Sequence, residues 1–137
     1  ILIDTPPALG ILAVNALYAA DRVIIPTQAD IFGLQGIGQL YQTIETVRQA
    51  GRPDLQIMGI LATRYNGRTN LTKKITELLD TTAAQIGTRV FKSKIRECTA
   101  IKEAQAVGQN IFEYAPRSNG AADYMEFTRE FLKEVEA

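Results

Sequence analysis

Apolar residues along the chain fall into two alternating signatures, short β-branched runs and longer stretches in which they return every three or four positions. That alternation predicts an α/β fold, a mostly parallel sheet flanked by helices. The first run, Ile1 to Ile3, ends at Asp4. Pro6-Pro7 interrupts the chain before Leu9, Leu12, Ala13, Ala16, Leu17 and Ala20 mark one face of a helix ending near Asp21. Val23, Ile24 and Ile25 read as a second buried strand, closed by Pro26. Ile37, Leu40, Tyr41, Ile44 and Val47 share the next helical face, Gly51-Arg52-Pro53 ends it, and Ile57 to Thr63 form the third strand. Leu71, Ile75, Leu78, Leu79 and Ile86 mark another helix, capped by Thr69 or Asn70 and leading to a short strand at Arg89 to Phe91. A short helix after Thr99, an edge-like strand at Ile111 to Glu113, and a closing helix from Ser118 with Ala121, Met125, Leu132 and Val135 complete the pattern. With no internal repeat or linker, residues 1–137 are predicted to form one domain, doubly wound if helices cover both faces of the sheet.

Composition narrows the chemistry. Apolar residues make up 46 % of the 137, enough for one core without disulfides or metals. No apolar run reaches the roughly 18 residues of a membrane span, because the longest, Leu9 to Ala20, is broken by Gly10 and Asn15. The sequence holds no His and a single Cys98, which excludes His-based catalysis, a Cys/His zinc site and an intrachain disulfide. Cys98 itself reads as a small loop or helix-start residue. The absence of an initiating Met and the apolar opening at Ile1 lead us to expect a piece of a longer chain.

Open parallel sheets bind ligands beyond the carboxyl ends of their strands, which singles out Asp4, Thr5, Thr27, Gln28, Thr63 and Arg64. An Asp directly after three large aliphatics is how P-loop NTPases hold a carboxylate near Mg²⁺, but the same Asp4 could equally cap the turn that follows. Charge gives a second signal. Fifteen Lys and Arg balance fifteen Asp and Glu, yet nine of the basic residues fall between Arg64 and Lys102, where acidic ones are fewer. A phosphate-backbone footprint has that form if the charges share one face; solvated helix faces have it otherwise. Five Tyr, five Phe and no Trp, not interleaved with the basic residues, argue against single-strand stacking. Tyr124, Phe127 and Phe131 read as core or interface packing.

Asp4-Thr5-Pro6-Pro7, followed by Gly10, Asn15-Ala16-Leu17 and Ala19-Ala20-Asp21, resembles the Walker B segment of the ParA/MinD group of deviant Walker A ATPases, especially the ParA/Soj partition proteins. Asn66-Gly67-Arg68-Thr69-Asn70-Leu71 resembles the stretch that opens a helix in that family, and Ile111-Phe112-Glu113-Tyr114-Ala115-Pro116-Arg117-Ser118 its late strand-turn-helix segment. The resemblance runs over essentially the whole chain and implies a P-loop NTPase-like fold. The family's K-G-G-x-x-K-[ST] loop does not occur in these residues, and Gly33-Leu34-Gln35-Gly36-Ile37-Gly38 reads instead as a flexible helix start. In the family that loop lies N-terminal to the segment beginning here, so the chain is expected to be the C-terminal part of a ParA-like ATPase domain, incomplete without the P-loop.

What the resemblance implies for function is specific. ATP and Mg²⁺ are the expected cofactors, with Asp4 as the catalytic carboxylate holding Mg²⁺ through water and Thr5, Pro6, Thr63, Arg64 and Arg96 as nucleotide-binding residues. The intact protein is expected to form an ATP-dependent homodimer that binds double-stranded DNA without sequence preference through Arg68, Lys73, Lys74, Lys94 and Lys102. A ParB-like partner would stimulate hydrolysis, in a cytoplasmic, nucleoid-associated bacterial setting. The family stretch I-P-R-N-x-x-x-x-E-A reads here Ile95-Arg96-Glu97-Cys98-Thr99-Ala100-Ile101-Lys102-Glu103-Ala104. Arg96 replaces the Pro and Ala100 the DNA-binding Arg, so Lys102 or Lys94 takes over that contact. Two rival readings are a MinD-like positioning ATPase, opposed by the lipid-repelling acidic end Glu126, Glu130, Glu134, Glu136, and a non-enzymatic α/β regulatory or interaction module. The chain alone is expected neither to bind ATP tightly nor to hydrolyse it, and to self-associate through an unpaired strand Ile1 to Ile3.

Overall fold

The computed structural model describes residues 1–6, 8–67 and 70–136. Strands β1 (Arg22–Gln28) and β2 (Gln56–Thr63) pair in parallel, from Arg22 beside Gln56 to Gln28 beside Thr63. Helix α1 (Ile11–Ala19) precedes β1, and α2 (Ile31–Gln49) makes the crossover. Beyond β2 come α3 (Asn70–Gln85), α4 (Thr99–Ala106), α5 (Ile111–Tyr114) and α6 (Asn119–Glu136). An irregular ribbon, residues 89–97, runs along the second edge of β2. The Ile60 N–H donates to the Arg89 carbonyl at 2.8 Å, and the Phe91 and Ile95 N–H groups donate to the Ile60 and Ala62 carbonyls at 2.9 Å. Within the ribbon Phe91, Ser93 and Ile95 are buried and Lys92 and Arg96 exposed, the alternation of an extended chain.

The two faces carry separate cores. Leu17 of α1, Ile37, Ile44 and Val47 of α2, and Ile75, Leu79 and Ala83 of α3 pack on Ile25, Ile57 and Ile60. On the opposite face Leu61, Phe91 and Ile95 meet Ile101 of α4 and Phe127 of α6. The expected doubly wound, mostly parallel α/β arrangement is therefore present. Its register slips once. Val23 pairs with Ile57 but Ile24 with Gly59, leaving Met58 as an extra residue on β2. An inserted residue reverses the side-chain alternation beyond it, which is why Met58 and Leu61 share one face although they stand an odd three positions apart. It also lays Gly59 under the Phe91 ring, where a Cβ would fall 2.6 Å from Phe91 Cε2.

Several expected elements differ. Ile1 to Ile3 form no strand and are exposed, because a three-residue parallel strand exists only beside a neighbour and no described strand pairs with it. Pro26 does not close β1, which runs on to Gln28; Pro lacks a donor but is tolerated on an edge strand. Arg89 to Phe91 contribute one isolated bridge at Val90 rather than a strand. Ile111 to Glu113 are helical, not extended, because Asn110 Oδ1 accepts the Glu113 N–H at 3.0 Å and closes a helical turn. On α1 the buried stripe is Ala13 and Leu17, with Leu12 exposed, and Leu9, ahead of the helix, is exposed too. On α3 Leu71 and Leu78 face solvent, and on α6 Met125, Leu132 and Val135 do, the buried positions being Gly120, Ala121 and Asp123. Phe127 meets Phe91 edge-on at 5.1 Å, the packing role expected of it, while Tyr124 is exposed.

Candidate nucleotide and nucleic-acid site

The carboxyl ends of β1 and β2 bring Thr27, Gln28, Thr63 and Arg64 together. Thr63 Oγ1 donates to the Thr27 carbonyl at 3.1 Å. Asp30 begins α2, its Oδ1 accepting the Gly33 N–H at 2.7 Å. Gly33 is needed here, since a Cβ would sit 2.3 Å from the Gln28 carbonyl oxygen. Pro26, Thr27, Gln28, Asp30, Phe32, Gly33 and Thr63 line an open groove at this end, facing the amino terminus of α2.

Arg64 turns the chain out of β2 with φ +48°, a left-handed conformation that costs a non-glycine residue roughly 1–2 kcal/mol. Neighbouring hydrogen bonds hold it there, with Tyr65 N–H donating to the Ile95 carbonyl at 2.9 Å and Glu97 N–H to the Tyr65 carbonyl at 3.4 Å. Its guanidinium reaches Gln28 Oε1 at 3.4 Å and Glu97 Oε1 at 3.2 Å. The same Glu97 oxygen accepts from Lys102 Nζ at 3.2 Å. Lys102 and Arg64 together hold the Glu97 carboxyl below its usual range. Lys94 stands 4.5 Å over the Tyr65 ring.

On the other side of the ribbon, α6 supplies carboxylates. Asp123, 5 % exposed, accepts from the Arg96 N–H at 2.9 Å and from Arg96 Nε and Nη2 at 2.9 and 2.6 Å. Burial pushes the Asp123 carboxyl up, but these donors outweigh it and the net shift is downward; Asp123 in turn raises the Arg96 guanidinium. Glu130 accepts from Ser93 Oγ at 2.6 Å and from the Ser93 and Lys92 N–H groups at 2.8 and 2.9 Å. Here too burial raises the carboxyl and the Ser93 donors bring it down further. Arg89 Nη2 lies 2.9 Å from Glu134, an ion pair without a hydrogen bond.

The residues singled out from sequence thus divide. Thr63 lines the groove, while Arg64 reaches Gln28 beside it and converges with Lys102 on Glu97. Arg96 turns its charge to α6. Lys73 and Lys74 are exposed on the first turns of α3, and Arg68 lies outside the described residues. Asp4, Thr5 and Pro6 are exposed, without regular secondary structure, and do not line the groove. Glu97, Asp123 and Glu130 carry no motif; the one sequence trace is the seven-residue spacing of Asp123 and Glu130, which sets both on one helical face. For Mg²⁺ the donor chemistry fits: that ion takes one or two carboxylates and completes its shell with water and phosphate oxygens, and Asp4 is a free-standing carboxylate. Among the described residues no three His, Cys, Asp or Glu side chains form a cage.

Comparison with known proteins adds identity to this geometry. The chain is 38 % identical over 99 % of its length to the chromosome-partitioning ATPase Soj of Thermus thermophilus, covering 53 % of that protein. It is 38 % identical over 95 % of its length to the sporulation initiation inhibitor protein Soj of Bacillus subtilis, covering 50 %. The chain is related to the ParA/Soj partition proteins. It spans about half the length of these curated relatives. The AAA domain family profile matches residues 1–57 of this ParA/Soj-related chain. Among solved structures, cobyrinic acid a,c-diamide synthase from Mycobacterium smegmatis, determined with an ATP analogue and magnesium, superposes with a TM-score of 0.77 at 30 % identity, over 98 % of this chain and 48 % of that one. The architecture is P-loop NTPase-like. Among the described residues no helix is long and apolar enough to cross a membrane.

Proposed function

We propose that these residues carry the Walker B and DNA-facing part of a ParA-type ATPase that partitions chromosomes or plasmids. The observation that supports the reading is the continuous similarity to Soj together with strand-end residues Thr27, Gln28 and Thr63 lining one groove and Arg64 reaching Gln28 beside it. Asp4 would hold the Mg²⁺ shell through water, with Thr5 and Pro6 as the neighbouring residues that would meet the nucleotide phosphates. Thr63 and Arg64 face the nucleotide from the ends of the sheet, and Arg96, paired with Asp123, completes the nucleotide-binding set. Bound ATP and Mg²⁺ supply the phosphoanhydride and the charge neutralisation; the chain supplies orientation. In the intact protein ATP drives a homodimer that lays Arg68, Lys73, Lys74, Lys94 and Lys102 on double-stranded DNA of any sequence, and a ParB-like partner releases it by stimulating hydrolysis. The setting is the bacterial cytoplasm, on the nucleoid. Asp4→Ala in the intact protein is the test: hydrolysis should be lost with the fold retained, and turnover within a factor of about two of wild type would overturn the assignment of Asp4.

A further inference from the structure

The carboxylates at the ribbon of residues 89–97 and the turn beside it differ in kind. Asp123 and Glu130 are shielded and grip donors that tie α6 down. Glu97 is exposed, as are both its partners: the side chains of Arg64, Glu97 and Lys102 are 55 %, 48 % and 64 % accessible. Exposed pairs of this type are individually weak and yield to a competing anion. We propose that Glu97 is a built-in counter-ion that competes with phosphodiester for Arg64 and Lys102, and so sets how tightly this edge of the molecule holds a nucleic-acid backbone. The inference rests on the reading above that Lys102 meets DNA, and extends that contact to Arg64, which shares Glu97 with it from the nucleotide end of the sheet.

The geometry supports a site that phosphate can take over. One Glu97 oxygen stands 3.2 Å from both Arg64 Nη2 and Lys102 Nζ, so the two cations converge on a single acceptor position that a non-bridging phosphate oxygen matches in charge and size. They come from different elements, Arg64 from the end of β2 and Lys102 from α4, and the strained turn at Arg64 is fixed by the hydrogen bonds of Tyr65 and Glu97 to their neighbours. Lys94 is kept apart on the Tyr65 ring, adding positive charge beside the site without touching Glu97 in this arrangement. Phosphate entry therefore exchanges one anion for another, and the net gain is smaller than two free cations would give.

Fluorescence anisotropy on the intact protein with ATP and Mg²⁺ tests this with a labelled duplex of random sequence, and titration calorimetry separately reads the direct binding of inorganic tripolyphosphate. Glu97→Gln should raise duplex affinity about two- to tenfold at low salt and steepen the slope of log affinity against log salt by about one unit. Glu97→Asp should remain near wild type, and Lys102→Ala in the Glu97→Gln background should remove the gain. If wild type binds the duplex and Glu97→Gln changes neither affinity nor slope, the counter-ion role is overturned while the DNA-binding reading stands. If neither protein binds duplex but the variant takes up tripolyphosphate more tightly, the DNA reading fails and the counter-ion role stands. No gain on either probe overturns the inference.

Discussion

Arg96 closes on Asp123 with three donors, its own backbone N–H and two guanidinium nitrogens, and so pins the first turns of α6 to the ribbon beside β2. Asp123 is buried whereas Arg96 is half exposed, so the two ends of the pair respond differently to substitution. Asp123→Asn keeps the shape and one acceptor, and should cost about 1–2 kcal/mol of stability. Arg96→Ala strips the guanidinium from a buried carboxylate and should be the more damaging change. Urea denaturation of both variants reads the order; equal midpoints with wild type would show that the contact contributes nothing.

Acid should loosen the same helix. Asp123 and Glu130 both have folded pKa values below their ordinary ones, so the stability they contribute is complete above the unfolded values, about 4, and is lost as pH falls through the lowered folded values. Stability should hold flat from neutrality to about pH 5 and fall beneath it. Glu130→Gln, which leaves Ser93 and Lys92 with a neutral acceptor, should cost about 1–2 kcal/mol at pH 7, with the gap to wild type closing at low pH. Thermal melts across pH check this; a gap that stayed constant to pH 3 would contradict it.

Gly59 sits under Phe91 because of the slip in register, and the proximity is severe. Gly59→Ala should cost about 1–3 kcal/mol, since the ring must leave its edge-on contact with Phe127 to make room. Phe91→Leu in the Gly59→Ala background should recover part of that loss, a coupling a double-mutant cycle measures.

How far the sequence could be read follows from which interactions are periodic. α2 was legible because Ile37, Ile44 and Val47 bury one continuous stripe, and β2 because both its faces are covered. α6 was legible as a helix but not in its orientation: its inward face carries Asp123 and Glu130, and a hydrophobic period cannot register a face that docks through carboxylates. The ribbon at 89–97 pairs by scattered hydrogen bonds without a regular ladder, so Arg89 to Phe91 promised a strand that reduces to one bridge. At the site, the strand-end rule located Thr63 and Arg64, but a lone exposed Glu97 two residues from Ile95 has no pattern that announces its two partners.

The basic residues of the intact protein should contribute unequally to DNA binding, and the structure orders those it describes. Lys74 is exposed on α3, whereas Lys102 already shares Glu97 with Arg64. Each phosphate contact accounts for about 0.9 of the slope of log affinity against log salt. Lys74→Ala should therefore lower that slope by close to one unit, and Lys102→Ala by less, because Glu97 has already discounted its charge. Arg68, outside the described residues, is expected to behave like Lys74, with losses uniform across DNA sequences and ATP binding retained. Anisotropy titrations from low to moderate salt give all three slopes. If Lys102→Ala reduces the slope as much as Lys74→Ala does, Glu97 leaves its partner fully available to phosphate, and the ranking drawn from these ion pairs is wrong.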